Sequence, residues 1–273
     1  MKIDTIIQAL DTCLYPSIQE GYDNSGPQIL FRGADVSSIL IALDLDLSVL
    51  EEAIYKKCNL IITHHPLFFK EIRRIDTGEP GSSLVVKLID SRISIYSAHT
   101  NLDKLFYDKL AKIAGFETVD LIYPHEPAPD GITAGFGALA KLGQAIELRE
   151  VLRRIKKALD LEFVIYTGDA GKRVRNIALV NGAGGRSIEK IIRDTGADCV
   201  ITGDVGYHQA KYASDSGTAV IDAGHFGTEI IMRGFLRDRV IDCLTNGGAA
   251  EDIPIYISES ERNPFRIYGM DNE

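Results

Sequence analysis

Several features are scarce in this chain of 273 residues, and each scarcity narrows what it can be. No uncharged apolar stretch approaches the roughly 18 residues that a membrane-spanning helix needs. The N-terminal segment carries Asp4 and Asp11 inside its apolar periodicity. It has no uncharged core and no small-residue cleavage site, so we expect no signal peptide. Positive charge is in deficit: 30 Lys and Arg against 39 Asp and Glu leave a net charge of −9. The densest basic cluster, Arg149 to Lys157, is spaced as one face of a helix. Duplex nucleic acid calls for a basic stripe, so charge argues against it as the main partner. Cysteine is limited to Cys13, Cys58, Cys199 and Cys243, far apart and without a CxxC pair. In such a chain they read as buried or inert thiols rather than a zinc site, and the expected compartment is the cytoplasm.

What is present is an ordinary globular mixture, 45% hydrophobic and 25% charged, which excludes disordered and fibrous classes. Hydrophobic periodicity predicts a helix over 2–20, a buried strand over 38–44, a helix over 47–57 and a strand over 60–63. Strand, helix, strand at this spacing is a βαβ unit, which implies a parallel sheet covered by helices. Helices follow at 83–91 and 102–114, with a strand at 93–96 between them. Pro124, Pro127 and Pro129, set around His125, Glu126 and Asp130, mark the best linker. Beyond it we expect strands at 135–139, 162–167, 174–180, 198–202 and 218–222, helices at 146–159, 187–195 and 226–244, and an edge strand near Ile253 to Ile257. The fold class is therefore α/β, in two halves: 1–125 and 126–273, with the helix and tail from about 222 packing back on the first.

The two halves match by register. Leu60 to His65 aligns with Cys199 to Asp204 at an offset of 139. Further on, Ile95 to His99 aligns with Ile221 to His225. Four of the six histidines, His64, His65, His99 and His225, follow short apolar strands, and Asp204 holds the matching place in the second half. Ligands of open parallel sheets bind beyond the carboxyl ends of the strands. Neighbouring side chains on a regular strand face opposite ways. Pro66 instead holds His65 extended in a turn, so the two imidazoles diverge toward two metals, or one ligates while the other supports. Asp103 and Glu229 stand four residues after His99 and His225, one helical turn in on the same side. Imidazole with carboxylate suits zinc, iron or manganese. Any one of these residues alone is an ordinary polar cap; their convergence points to a metal site.

Four segments occur in order: Ile62 to Lys70 around His64-His65-Pro66, Tyr96 to Asp103 through Ser97-Ala98-His99-Thr100-Asn101-Leu102, Thr202-Gly203-Asp204 with Tyr207-His208, and Gly224 to Glu229. With them the chain resembles the NIF-three-like family over residues 23–229; bacterial members are named GTP cyclohydrolase I type II homologues. The resemblance implies a two-part α/β fold, a dinuclear centre of two divalent ions per chain, and a homo-oligomer, a ring-shaped hexamer. It places the metal ligands on His64, His65, Asp103, His225 and Glu229, and makes His99 a pocket neighbour. Ser25 and Pro27 stand where the family has apolar residues, and Phe226 where Tyr is common. The version with a long inserted domain is not expected, since about 70 residues separate Asp103 from Val174.

Such a centre points to metal-assisted hydrolysis of a small substrate, phosphate-bearing or nucleotide, with His99, Asp204 and His208 as supporting or proton-transferring candidates. Phe68 and Phe69 read as core, with an apolar lip as the other reading. Gly182-Ala183-Gly184-Gly185 lacks the spacing of a nucleotide-binding motif and reads as a tight turn, although Arg186 beside it suits an anion. A guanine-specific activity rests on the family name alone. The alternative is a non-catalytic oligomer that stores or delivers metal or regulates a partner; its ligands would be the same.

Overall fold

Short apolar runs bounded by turns dictate the frame. In the computed structural model, which describes residues 1–125, 129–246 and 253–268, they become the strands of two sheets. In chain order the elements are α1 (Ile3–Leu14), β1 (Gly26–Ile29), β2 (Ile39–Ala42), α2 (Leu47–Tyr55), β3 (Leu60–Thr63), α3 (Pro80–Asp90), β4 (Ser94–Ser97), α4 (Thr100–Leu105), α5 (Lys109–Ile113) and β5 (Thr118–Pro124). There follow β6 (Gly135–Glu147), α6 (Leu148–Ala158), β7 (Ile165–Thr167), β8 (Arg173–Leu179), α7 (Ile188–Thr195), β9 (Cys199–Thr202), α8 (Tyr207–Asp215), β10 (Ala219–Asp222), α9 (His225–Glu229), α10 (Met232–Asn246) and β11 (Ile255–Ile257).

The first sheet has the order β1-β4-β3-β2-β11 and the second β5-β6-β8-β9-β10-β7. Each centres on a parallel run, β2-β3-β4 and β8-β9-β10. Strands β2, β3, β4 and β9 are buried at all four positions, as expected where helices cover both faces. Antiparallel β1, β5 with β6, and β7 sit toward the edges.

Helix boundaries follow local chemistry. Helix α1 ends at Leu14, short of the expected 20, because Tyr15 precedes Pro16 and turns to φ 48°. The Asp46 carboxylate caps α2 by accepting the Val49 amide at 2.9 Å. Helix α6 buries Leu148, Val151 and Ile155 along one stripe and turns its basic face outward. The stretch expected as one helix over 102–114 is interrupted between α4 and α5, and 226–244 divides into α9 and α10.

The expected linker is only partly a linker. Pro124 closes β5, an edge strand of the second sheet, so the boundary expected at 125/126 falls inside the β5–β6 hairpin. Glu126 and Pro127 lie outside the described residues. At the other end, α10 joins α1 in the core beneath the first sheet, through Met232, Leu236, Val240 and Leu244 against Ile3, Ile6, Leu10 and Leu14. Strand β11 pairs in parallel with β2. Ile231 packs on the cores of both sheets.

One expectation is corrected. Cys13 on α1 and Cys243 on α10 form a disulfide, Cα atoms 6.0 Å apart. The helices lie side by side, which a separation of 230 residues conceals. Cys58 and Cys199 are buried free thiols, as expected. Closing so long a loop restricts the unfolded chain, by about 5 kcal/mol at most on chain-entropy grounds. Thiol reduction, or Cys13→Ser with Cys243→Ser, should therefore lower the melting temperature clearly; the double variant should no longer respond to reductant, whereas Cys58→Ala, which keeps the bridge, should respond as the unaltered protein does. Equal melting with and without reductant would count against the pair.

Candidate metal centre

The carboxyl ends of both parallel runs deliver side chains to one place. His64 and His65 leave β3; the Thr63 hydroxyl donates to the His65 carbonyl at 2.7 Å and turns the chain there. His99 follows β4 and opens α4, which carries Asp103. His225 and Glu229 begin and end α9, after β10.

Each imidazole is tied through Nδ1, which leaves Nε2 free to ligate. His64 Nδ1 meets the Ala98 carbonyl at 2.9 Å, and His65 Nδ1 meets Asp44 Oδ1 at 2.7 Å. His225 Nδ1 meets Asp204 Oδ2 at 2.8 Å, and His99 Nδ1 meets Asp23 Oδ1 at 2.7 Å. Glu229 Oε2 lies 2.8 Å from His225 Nε2 and 3.0 Å from His65 Nε2, which are themselves 3.4 Å apart. Ligands at the usual zinc–nitrogen distance in a tetrahedral shell are separated by roughly 3.3 Å. The other oxygen, Oε1, lies 3.8 Å from His64 Nε2, and Asp103 Oδ1 lies 3.5 Å from the same nitrogen.

His64 Nε2 and Asp103 Oδ1 are buried without a hydrogen-bond partner among the described residues, and Glu229 Oε2, equally buried, faces Nε2 of His65 and of His225. Buried polar atoms are rarely left unpaired, and here they converge on one another. Three groupings have ligand atoms close enough to share an ion: His64, Asp103 and Glu229; His65, His225 and Glu229; and His64, His65 and His99. The donor set, imidazole and carboxylate, fits a divalent cation.

Electrostatics agree with this arrangement. Burial works against charge on His65, yet Asp44 and Glu229 outweigh it and raise the imidazole to about 10. Glu229, with Asp204 behind it, raises His225 to about 9. Burial would raise Glu229, but three imidazoles hold it well below the usual carboxylate range. Burial pushes Asp103 up despite His64 nearby. Negative charge thus concentrates on the carboxylate that both groups share.

A family profile described as Duf34/NIF3 (NGG1p interacting factor 3) matches residues 1–264. The chain belongs to that family. A Clostridium acetobutylicum protein named "GTP cyclohydrolase 1 type 2 homolog" is 34% identical, covering 98% of this chain and 99% of its own. The "Protein NIF3 homolog" of Schizosaccharomyces pombe is 28% identical over 94% of this chain and 95% of its own. The crystal structure of the Bacillus cereus protein related to NIF3 superposes with a TM-score of 0.89 over 98% of this chain and 99% of that one, at 21% identity, a likeness of fold.

Within this NIF3 chain the structure brings His64, His65, Asp103, His225 and Glu229 together, with His99 beside them and Asp204 behind His225. His208 is exposed on α8 with its ring edge-on to Tyr207, and no metal-capable grouping among the described residues includes it. Phe69, expected in the core, stands exposed at the rim, its ring edge-on to His99 and to Tyr22. Ser25 accepts the His99 amide and hydrogen-bonds Asp23, so the departure from an apolar residue there joins the N-terminal segment to the site. Asp44 and Asp23 went unrecognised in sequence. Asp44 ends an apolar strand, the same signal that singled out Asp204.

The glycines at 182–185 prove to be a matter of close approach. Gly182 sits at φ +58° beside the cluster, its amide donating to Thr228 Oγ1 at 2.9 Å, and a Cβ there would overlap Glu229 Oε1. Gly182→Ala is expected to cost about 1–3 kcal/mol in backbone strain and to displace Glu229, weakening metal binding. Gly217→Ala carries the same strain at φ +71° with nothing within 4 Å, and should melt earlier yet bind metal normally. Thermal denaturation with metal titration separates the two; equal metal affinity in both variants would show that Gly182 does not set Glu229.

Proposed function

We propose that Glu229 bridges two divalent ions, one also held by His64 and Asp103, the other by His65 and His225, and that the protein is a metal-dependent hydrolase of a small substrate. One observation carries this: a carboxylate with a 4% exposed side chain turns one oxygen toward each group of ligands. Zinc, iron and manganese all suit the donor set. Such ions supply Lewis acidity toward a substrate oxygen and lower the pKa of water. The protein's own residues do the rest. Asp44, Asp204 and the Ala98 carbonyl hold three imidazoles with Nε2 inward, and Asp23 holds His99 at the cluster's edge. Tyr22 and Phe69 frame the mouth. A phosphate-bearing or nucleotide substrate is part of the proposal. The cyclohydrolase in the bacterial relatives' names stays with those proteins.

Elemental analysis of protein purified without added metal tests the centre: two ions per chain are expected, and fewer than one, with chelators excluded, overturns it. Turnover of phosphoesters, nucleotides and peptides by loaded protein, compared with a variant carrying Asp103→Ala and Glu229→Ala, tests the hydrolase. Equal absence of turnover in both leaves the non-catalytic role of metal storage, delivery or regulation. We also propose a homohexamer in the cytoplasm, tested by a solution mass six times the 30.0 kDa chain. Among the described residues no helix is long and apolar enough to cross a membrane.

A further inference from the structure

The C-terminal segment beyond β11 reaches back toward the His65 side of the cluster through one side chain. Glu261, whose side chain is 3% exposed, accepts the backbone amides of Leu43 at 2.7 Å and Asp44 at 2.8 Å on Oε1. Its Oε2 receives Arg233 Nη1 at 2.7 Å. Arg233 also donates to the Ser258 carbonyl at 2.6 Å and, through Nε, to the Ile230 carbonyl at 3.1 Å, directly after Glu229. Parallel pairing of β2 with β11 ends at Ile41 and Ile257. The amides of Leu43 and Asp44 therefore lie past the ladder, and the carboxylate takes the place of the missing strand carbonyl. Hydrogen bonds to an ionised acceptor are stronger than neutral ones. The Asp44 side chain is itself 57% exposed, so the backbone that carries it, rather than packing around it, aims it at His65.

We infer that Glu261 is a positioning residue of the cluster: by holding the backbone of Asp44 it fixes the Asp44 carboxylate against His65 Nδ1, while Arg233 pairs with its other oxygen. The inference rests on the metal-binding reading for its consequence, though not for its geometry. Partners one step behind metal ligands commonly change affinity about 10–100-fold. Glu261 acts on the side of the site that holds His65, while His64 is oriented independently by Ala98.

The experiment follows the low-field Nδ1–H signals of His65 and His225 in metal-free protein, with Asp44→Ala to assign the first. In Glu261→Ala the His65 signal should vanish while that of His225, held by Asp204, persists. Glu261→Gln, which keeps an acceptor of the same reach, should retain both. Zinc titration of Glu261→Ala should show one of two affinities weakened about 10–100-fold and the other within about threefold. A folded Glu261→Ala protein that keeps the His65 signal, or loses both signals alike, overturns the inference. If that variant does not fold, Glu261→Asp, one methylene short of the two amides, must lose the His65 signal; a native signal there overturns it equally. Should the wild-type protein bind no metal, the functional reading fails, while the two proton signals still decide whether Glu261 positions His65.

Discussion

Glu229→Gln should yield a folded protein that binds neither ion, whereas Asp103→Asn and His225→Gln should each lose one. The asymmetry follows from geometry. Asp103 approaches only the His64 side and His225 only the His65 side, but Glu229 turns an oxygen to each. A carboxamide keeps the size of the side chain, loses its charge and presents N–H groups to imidazole nitrogens that already need an acceptor. Affinity at both places should fall by at least about 100-fold, well beyond the about 10–100-fold expected from residues behind the ligands. Stability should change too. In metal-free protein the carboxylate is the shared counter-charge of His65 and His225, and removing one partner of a buried ion pair costs about 3–5 kcal/mol. Metal stoichiometry by elemental analysis, with calorimetric titration of zinc into each variant, reads the outcome. Retention of two ions by Glu229→Gln would show that the carboxylate does not bridge.

Much of this site was legible before the structure because its signal is positional. Apolar runs of four residues bounded by turns announce parallel strands, and ligands gather at the strand ends; His64, His65, His99, His225 and Asp204 all sit there. Asp103 and Glu229 were legible through helical spacing. What stayed hidden depends on tertiary contact. Asp44 and Asp23 earn their roles only when β2 lies beside β3 and the N-terminal segment folds over His99. Glu261 has no local pattern at all. Cys13 and Cys243 meet because α10 returns to the first sheet, which no spacing announces. Strands β1 and β5 and helix α8 were missed for a local reason: Gly26-Pro27 at the start of β1, Pro124 at the end of β5 and the polar face of α8 disguise their periodicity.

The same geometry distributes the cluster over both halves of the chain. His64, His65 and Asp103 come from around the first sheet, and His225 and Glu229 from α9 beyond β10 of the second. The glycines at 182 and 203 let the second half's loops approach His225 and Glu229 closely. Ile231, packed on both cores, sits two residues after the shared carboxylate. Each group of ligands that Glu229 joins thus draws on both sheets, so the relative placement of the sheets sets the distances within each group, and substitutions at Ile231 should act on those distances from outside the site.

Proton competition sets the second large effect: zinc affinity on the His65–His225 side should rise about a hundredfold per pH unit between pH 7 and 9. Metal binds the neutral imidazole, so each ligand that is protonated in metal-free protein must release a proton first. His65, raised to about 10, and His225, raised to about 9, are both protonated at neutral pH. Two protons leave for one ion, which gives a slope of two on a logarithmic plot, flattening above pH 9. Stability of the metal-free protein moves in the opposite direction. A histidine whose folded pKa exceeds its unfolded value, 6.5, contributes stability that is fully present below pH 6.5 and lost as pH rises through the folded value. From pH 6.5 to about 10 the metal-free protein should therefore melt progressively earlier, and the gain in melting temperature on adding zinc should widen. Calorimetry in buffers of different ionisation enthalpy counts the protons directly. Affinity independent of pH over that range, with no proton released, would mean that the two imidazoles do not hold an ion.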